Sequence, residues 1–562
     1  MRRILIIAIA LFSFSLLLSA QNNPLPIIYQ PLLPASAQPG GAGFTLTVSG
    51  TGFVSGTVLR WNGSPRTTTI LSGSSLQASI PASDIAKIGT ATITAVNPTP
   101  RGGSSNPIYF PIRIAFNAVA LALEPNLEFL PGETIAVGDF NGDGKLDIVI
   151  GQSDSFAGTG TVSFYPGNGR GSFGAPVSTN TRDQIFSLLT GDFNGDGNLD
   201  LLIGTTHGGE NSGAAVLLGD GHGTFTKKPT FGTGDFGSPM AVADINGDGF
   251  LDVVFVDEVQ GYYSADIFLG HGDGTFWQAA SANAGGGVGY TAVGDFNHDG
   301  KLDLAVQSGT YVGILLGNGD GTFQTTIFYP TEFGAGGLAV ADLNGDGNLD
   351  IVTSGFSILL GNGDGTFTKA GGFQAGSGPI SIGDFNCDGK LDVIANAAPP
   401  NNFTSVLVFL GNGDGTFNTP DVLTDLNFNP NPILGFVTGD FNQDGKLDLA
   451  AADTVWLQTT VNVTPSTLNY GTHKVGTVSL PQTIAVTNVS VNGLKISSVG
   501  ISGQGSVDFA AQNHCGALAP GASCTISVVF KPVTQGGSGA TLSISYQGLD
   551  SPQNVFIYGS GS

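Results

Sequence analysis

The chain has 562 residues, with 43 Asp plus Glu against 19 Lys plus Arg and a formal net charge of −24. Such an acidic surface repels a nucleic-acid duplex or an anionic membrane, so neither is expected as a partner. The length exceeds one ordinary core, and the 87 glycines, with proline, stay below the share that marks low-complexity disorder.

Residues 1–20 begin with Arg2 and Arg3, continue as an apolar run over 4–18 and end on Ser19 and Ala20. This is the layout of a secretory signal peptide cut after Ala20. The alternative, an uncleaved anchor, has a run of about 15 residues where roughly 20 are needed to span. No later stretch is long enough, so no membrane insertion is expected after cleavage. The expected location is extracellular, free or at the cell surface. No lipid-bearing Cys follows the apolar run, and no sorting motif or apolar tail is read at the C-terminus, so no covalent anchor is expected.

Residues 24–112 alternate short apolar runs with turn residues: FTLTVSGTGF, TVLRWNGSP, SLQASIP, TATITAVNP and SNPIYFPI. They resemble the IPT/TIG immunoglobulin-like β-sandwich, above all in GFTLTVSGTGF followed by VLRWNGS.

Residues 113–458 repeat one element seven times. DFNGDGKLD at 139–147 recurs as DFNGDGNLD from Asp192, DINGDGFLD from Asp244, DFNHDGKLD from Asp295, DLNGDGNLD from Asp342, DFNCDGKLD from Asp384 and DFNQDGKLD from Asp440. The starts lie 53, 52, 51, 47, 42 and 56 residues apart, the period of a solenoid or propeller. A Gly-rich turn follows most copies, as LLGDGHGTF at 217–225 and LLGNGDGTF at 315–323 and 359–367. It reads as hairpin chemistry, because Gly and Asn tolerate positive φ. The first repeat then gives four strands, at 134–140, 146–151, 162–165 and 172–177. The expected fold class is all-β, a seven-bladed β-propeller flanked by two immunoglobulin-like β-sandwiches. The seventh copy lacks a Gly-rich turn and a fourth strand, which residues 113–121 are expected to supply.

In D-x-N-x-D-G-x-x-D, carboxylates stand at positions 1, 5 and 9 and an amide oxygen at 3. Calcium takes six to eight oxygen ligands, and the Gly at position 6 permits the bend that gathers them. An EF-hand would need an acid at position 12, where the first copy has Ile150. The bland alternative is a set of polar turns; seven copies and three repelling carboxylates per loop argue for a cation instead. The repeats resemble the FG-GAP/VCBS calcium-binding propellers, whose relatives include integrin α-subunit heads.

That resemblance implies up to seven structural Ca2+ ions, held through side chains at positions 1, 3, 5 and 9 and the carbonyl at 7. In chain order the implied ligands are Asp139, Asn141, Asp143, Lys145 and Asp147; Asp192, Asn194, Asp196, Asn198 and Asp200; Asp244, Asn246, Asp248, Phe250 and Asp252; Asp295, Asn297, Asp299, Lys301 and Asp303; Asp342, Asn344, Asp346, Asn348 and Asp350; Asp384, Asn386, Asp388, Lys390 and Asp392; Asp440, Asn442, Asp444, Lys446 and Asp448. Ile245 and Leu343 replace Phe, and His298, Cys387 and Gln443 replace the Gly of position 4, without removing a ligand.

Residues 461–562 resemble the hydin/choice-of-anchor-D β-sandwich, in VTPSTLNYG, QTIAVTNVS and VDFAAQNHCGALAPGASCTISVVFKP. Cys515 and Cys524, nine apart in an exported chain, are expected to pair. The six His are scattered, and no HExxH, GxSxG or phosphate-loop pattern occurs, so a binding protein is expected before an enzyme. Strand alternation puts the variable loops (152–160, 205–214, 257–265, 307–312, 353–356 and 396–405) on the face opposite the Asp loops. Tyr262, Tyr263, Tyr290 and Tyr311 in or beside these loops are candidates for a glycan or a surface-protein partner, the bland reading being ordinary packing. The expected function is extracellular adhesion or recognition. The alternatives are a polysaccharide lyase or hydrolase and a non-specific envelope or matrix scaffold.

Overall fold

The computed structural model describes residues 22–87, 89–112, 123–128, 134–154, 158–207, 211–234, 238–259, 262–285, 290–331, 336–372, 378–386, 388–396, 406–418, 421–423, 436–451, 454–465, 467–489, 493–519, 521–546 and 551–562. The architecture is all-β. Among the described residues no helix is long and apolar enough to cross a membrane.

Near the N-terminus, Ile27–Ile28, Phe44–Thr51, Ser75–Ile80 and Thr68–Ser72 form one sheet. Ser64–Pro65, Val58–Trp61, Gly89–Asn97 and Gly103–Ser104 form a second, with Ile108–Ile112 also paired to Gly89–Asn97. Alternation of period two sends Leu46, Val48, Leu59, Trp61, Leu76, Ile93 and Phe110 into one shared core.

Each repeat folds as an antiparallel sheet whose own strands pair in chain order, four in most repeats; the second adds a fifth, Phe231–Gly234, beside Asn211–Gly219. The first consists of Thr134–Gly138, Asp147–Asp154, Thr159–Tyr165 and Val177–Asn180. Its second and third strands run further than expected, pairing as far as Asp154↔Thr159. Its fourth starts later, because Phe173 is still closing the tight turn by bridging to Gly167. The next five sheets open on Gln184–Gly191, Ser238–Ala243, Thr291–Gly294, Leu338–Ala341 and Ile380–Gly383. The last comprises Phe436–Gly439, Asp448–Ala451, Thr454–Gln458 and, as its outer strand, Leu123–Glu128. The segment expected to supply that strand, residues 113–121, lies outside the described residues. The strand that pairs follows it directly.

Two sequence signatures join neighbouring sheets, and both close on themselves. The Leu at loop position 8 reaches back to the Gly or Ala that precedes the Asp loop of the previous sheet. A Cβ on Gly138 would lie 2.6 Å from Leu199 Cδ1, one on Gly191 2.5 Å from Leu251, and one on Gly383 2.5 Å from Leu447. Leu146 of the first sheet meets Gly439 of the last in the same way, at 2.7 Å. The Phe of position 2 packs edge-on against the Thr-Phe or Ser-Phe ring of the next sheet: Phe140 on Phe225 at 6.0 Å, Phe193 on Phe276 at 6.0 Å, Phe296 on Phe367 at 5.5 Å. Phe441 on Phe173, at 5.9 Å, joins last to first. The sheets therefore form a ring.

The space at Gly439 sets a test of closure. Gly439→Ala is expected to be tolerated, since Ala243 and Ala341 fill the equivalent positions beside Leu302 and Leu391. Gly439→Val drives a branched side chain into Leu146 and is expected to cost about 1–3 kcal/mol, read as a lower thermal midpoint. Equal midpoints for the two variants would mean that this contact does not hold the ring shut.

The C-terminal residues build a second sandwich. Val461–Thr464, Gln482–Asn488, Ser523–Phe530 and Phe509–Asn513 face Thr467–His473, Gln553–Gly561, Gly536–Tyr546, Leu494–Ser502 and Ala517–Leu518. Ile484, Val486, Ile526, Phe530, Leu542 and Ile557 fill the core between them. A disulfide joins Cys515 to Cys524.

Candidate metal-binding loops

All seven Asp loops adopt one hydrogen-bond net. The position 1 carboxylate accepts the N–H groups of positions 5 and 6, as Asp139 does from Asp143 at 3.0 Å and Gly144 at 2.8 Å. The amide oxygen of position 3 accepts the position 5 N–H, Asn141 from Asp143 at 2.9 Å. The position 5 carboxylate accepts the position 7 N–H, Asp143 from Lys145 at 3.0 Å. The same bonds recur at Asp192, Asn194 and Asp196; at Asp244, Asn246 and Asp248; and at Asp295, Asn297 and Asp299. They recur again at Asp342, Asn344 and Asp346; at Asp384, Asn386 and Asp388; and at Asp440, Asn442 and Asp444. Short Asx side chains turn the backbone inward in this way wherever they precede a free N–H by two or more residues.

Position 9 behaves differently, and sequence reasoning grouped it with the others. Asp147 is fully buried under its loop. One oxygen accepts the Phe140 N–H at 3.0 Å and the other the Gly167 N–H at 2.8 Å. Asp200, Asp252, Asp303, Asp350 and Asp392 repeat the pair with the first Gly of their own Gly-rich turn. Asp448, which has no such turn, takes Phe441 and Gln458 instead. The ninth carboxylate thus clasps the loop to the third strand. The glycine it holds admits no side chain: a Cβ on Gly167 would lie 1.9 Å from the Leu146 carbonyl oxygen, and one on Gly411 2.0 Å from that of Leu391.

Accepting N–H bonds on both oxygens favours the ionised carboxylate, but burial favours the proton. Burial, with the charges of positions 1 and 5 adding to it, pushes Asp147, Asp200 and Asp350 up to about 6, against the pull of the N–H bonds. The same causes push Asp303 and Asp392 to about 7 and Asp252 to about 8, and they hold Asp448 well above the carboxylate range. Positive charge among positions 1, 3 and 5 relieves this conflict. In three loops a lysine at position 7 supplies some: Lys145 Nζ stands 2.8 Å from Asp143, Lys301 3.6 Å from Asp299, and the buried Lys446 3.2 Å from Asp444.

Among the described residues no three His, Cys, Asp or Glu side chains stand together as a ready metal cage. The reason lies in the division of labour just described: with position 9 turned to the backbone, each loop gathers two carboxylates and an amide. These donors are all oxygen, as a hard divalent cation requires. A carboxylate has about four lone-pair sites, so the N–H bonds leave it acceptor capacity. The residues fit calcium.

Departures from the repeat also have work to do. His298, at position 4 with a φ of 58°, bonds Asn348 of the next loop at 2.9 Å, and Gln443, also at 58°, donates to the Gly144 carbonyl at 3.3 Å. Cys387 lies outside the described residues. The Gly-rich turns reach across too: Gly171 N–H donates to the Phe441 carbonyl at 2.9 Å, and Gly365 N–H to that of Phe296 at 3.0 Å.

On the opposite face, Tyr290 and Tyr311 are exposed; Tyr311 meets Phe328 edge-on at 6.5 Å. Tyr262 and Tyr263 open the strand Tyr262–Gly270, paired to Val259 and Glu258. The expected loop at 257–265 is therefore mostly a hairpin extension, as is much of 205–214, where Thr205 pairs with Gly213. Residues 397–405, most of another expected loop, lie outside the described residues.

The FG-GAP-like repeat family matches residues 139–203, 205–255, 250–306, 295–353 and 384–451, five segments that contain all seven Asp loops. The HYDIN/CFA65/VesB-like, Ig-like domain family matches residues 459–561. No curated protein matches the chain. Among solved structures, an Agrocybe aegerita lectin that recognises non-reducing terminal N-acetylglucosamine is 18% identical, with 65% of this chain and 94% of the lectin covered and a TM-score of 0.35. An auxiliary nutrient binding protein from Bacteroides ovatus is 12% identical, with 77% and 97% covered and a TM-score of 0.32. The V. cholerae biofilm matrix protein Bap1 is 15% identical, with 67% and 66% covered and a TM-score of 0.28. Likeness at this level carries no argument about what this chain binds.

Proposed function

The chain belongs to the FG-GAP-like repeat family, and on that premise we propose that it is a secreted, seven-bladed, calcium-bound β-propeller of integrin-α-like type that works by binding and not by catalysis. Up to seven Ca2+ ions sit at positions 1, 3 and 5 and the position 7 carbonyl, with the ninth carboxylate closing each site from below. The metal is structural. It supplies positive charge among the carboxylates that the position 7 lysines offset only in part and only in some loops. The N-terminal sandwich is read as IPT/TIG-type.

One observation carries the choice of binding face. The Asp-loop side of the ring is occupied internally, by the seven loops themselves and by contacts from the N-terminal sandwich. Leu25 N–H donates to Asp244 at 2.7 Å, and Asp295 N–H donates to the Tyr29 hydroxyl at 3.0 Å. The partner, a glycan or an extracellular surface protein, therefore meets the opposite face. Tyr290 precedes the strand Thr291–Gly294, whose far end enters the loop at Asp295, and Tyr311 opens Tyr311–Leu315, whose far end enters the Gly317 turn. Both rings stand at the end away from the loops, 43% and 49% exposed. Exposed aromatic faces of this kind stack on sugar rings.

The test is retention of the mature protein on a panel of insoluble polysaccharides, with calcium and with chelator. Selective retention that chelator abolishes, and that the double variant Tyr290→Ala/Tyr311→Ala loses by about tenfold, is the expected result. Retention unchanged in the variant would move the site off this face. Shortening of the polysaccharide would replace the binding protein with a lyase or hydrolase.

A further inference from the structure

The N-terminal sandwich touches the loops unequally. Its closest contacts fall on the third, fourth and seventh loops at position 1 itself: Leu25 N–H on the Asp244 carboxylate, the Tyr29 hydroxyl on the Asp295 N–H, and the Thr90 hydroxyl on the Asp440 carboxylate. The fifth loop is touched by one longer bond, Asp342 N–H donating to the Gln30 carbonyl at 3.3 Å. The Arg101 guanidinium lies 3.7 Å over the ring of Phe250, position 7 of the third loop. Burial is deepest at the three closest contacts. Asp244, Asp295 and Asp440 are 4%, 2% and 4% exposed, whereas Asp139, Asp192, Asp342 and Asp384 are half-buried. The interface is not flush. It leaves a partly open cavity of about 1560 Å3 whose walls include Thr92 and Tyr109 of the sandwich and Val137, Thr190, Ala241 and Thr291 of the innermost strands.

Covering carboxylates with a second domain has a definite cost. Buried charge is unfavourable unless it is paired, and the sandwich brings little to pair it with. Residues 22–112 contain Arg60, Arg66, Lys87 and Arg101 as their cations. Arg66 is held by Asp84, Arg101 is stacked on Phe250, and Lys87 lines the cavity. Within the loops, Lys301 and Lys446 lie against the position 5 carboxylates Asp299 and Asp444, and the third loop has Phe250 in that place, so the rest of the balancing charge falls to an ion in the loop.

We propose that the N-terminal sandwich is a calcium-conditional cap: it docks on the third, fourth and seventh loops when these hold calcium, and its docking in turn tightens calcium at those three loops. This rests on the calcium occupancy proposed above. Linkage makes the two effects equal and reciprocal. The bonds from Leu25 and Thr90 fix the Asp244 and Asp440 carboxylates, and the bond to Tyr29 fixes the Asp295 backbone, so less ordering remains when the ion enters. The first, second and sixth loops serve as internal controls, since their position 1 carboxylates are less covered.

The test uses the full chain and two variants that alter no proposed ligand, Thr90→Val and Arg101→Ala. Calcium isotherms are expected to resolve a subset of sites that weaken about fivefold or more in the variants, the lower end of common coupling strengths, while the remainder keep their affinity. Hydrogen exchange at the Leu25 N–H supplies the reverse arm, with protection expected at saturating calcium and lost when calcium is removed at a temperature where the strands of the ring remain protected. Isotherms that coincide in wild type and both variants, or equal Leu25 protection with and without calcium, would overturn the cap while leaving calcium binding intact. A wild-type chain that takes up no calcium would overturn both readings.

Discussion

Chelation is expected to lower the melting temperature of the ring by about 20 °C and to leave the C-terminal sandwich unmoved, so that one thermal transition separates into two. Extracellular calcium modules bind at about 10⁻⁴–10⁻³ M. At ten times the dissociation constant, each occupied site adds about 1.4 kcal/mol by mass action. Seven sites therefore add about 10 kcal/mol, comparable to the whole stability of an ordinary domain. A change of 1 kcal/mol moves the midpoint of a chain this large by about 2 °C. The C-terminal sandwich contains none of the Asp loops and is clipped by Cys515–Cys524, so its transition provides the reference. Calorimetry with and without chelator checks this. A ring transition that stays within a degree or two would remove calcium from the account of its stability.

Much of this ring is legible in the sequence because its contacts are repeated. Seven copies of one Asp loop announce seven sheets, and Gly-rich turns announce the hairpins. The missing turn after Asp448 announces an outer strand borrowed from before the first repeat, supplied by Leu123–Glu128. What the sequence does not reveal is the direction in which chemically identical groups point. Asp139 and Asp147 look alike in the motif, but one lies half-exposed in the loop and the other is fully buried beneath it. A pattern of residue types records donors and spacing, not burial. The docking of Leu25, Tyr29 and Thr90 on the loops is invisible for another reason. It joins residues more than 200 positions apart through contacts that occur once each, so no periodicity marks them. Hairpin length escaped as well, since 257–265 is as polar as a loop and as aromatic as a strand.

The division between position 1 and position 9 can be separated by mutation. Asp303→Ala is expected to destabilise the protein by about 3–5 kcal/mol even in saturating calcium. Both Asp303 oxygens are bonded, to Phe296 N–H at 2.8 Å and Gly317 N–H at 2.7 Å. A hydrogen bond to a charged group contributes about 1.5–3 kcal/mol, and truncating the acceptor leaves two buried donors without it. Asp192→Asn, by contrast, keeps a side-chain oxygen for the Asp196 N–H and removes charge from a single, half-buried loop. It gives up the bond from the Gly197 N–H, at 2.9 Å, which costs about 1 kcal/mol, and it weakens one calcium site, whose share is about 1.4 kcal/mol. The two variants should also respond oppositely to added calcium: excess ion restores the calcium share of Asp192→Asn, because mass action compensates a weaker site, but does not restore Asp303→Ala, because no ion replaces an acceptor between the loop and the third strand. Thermal midpoints across a calcium titration read both. If excess calcium rescued Asp303→Ala, position 9 would be a ligand like the others and the clasp would be a consequence of the metal. If it does not, the ninth carboxylate is part of the backbone scaffold on which the ion-binding loop is built.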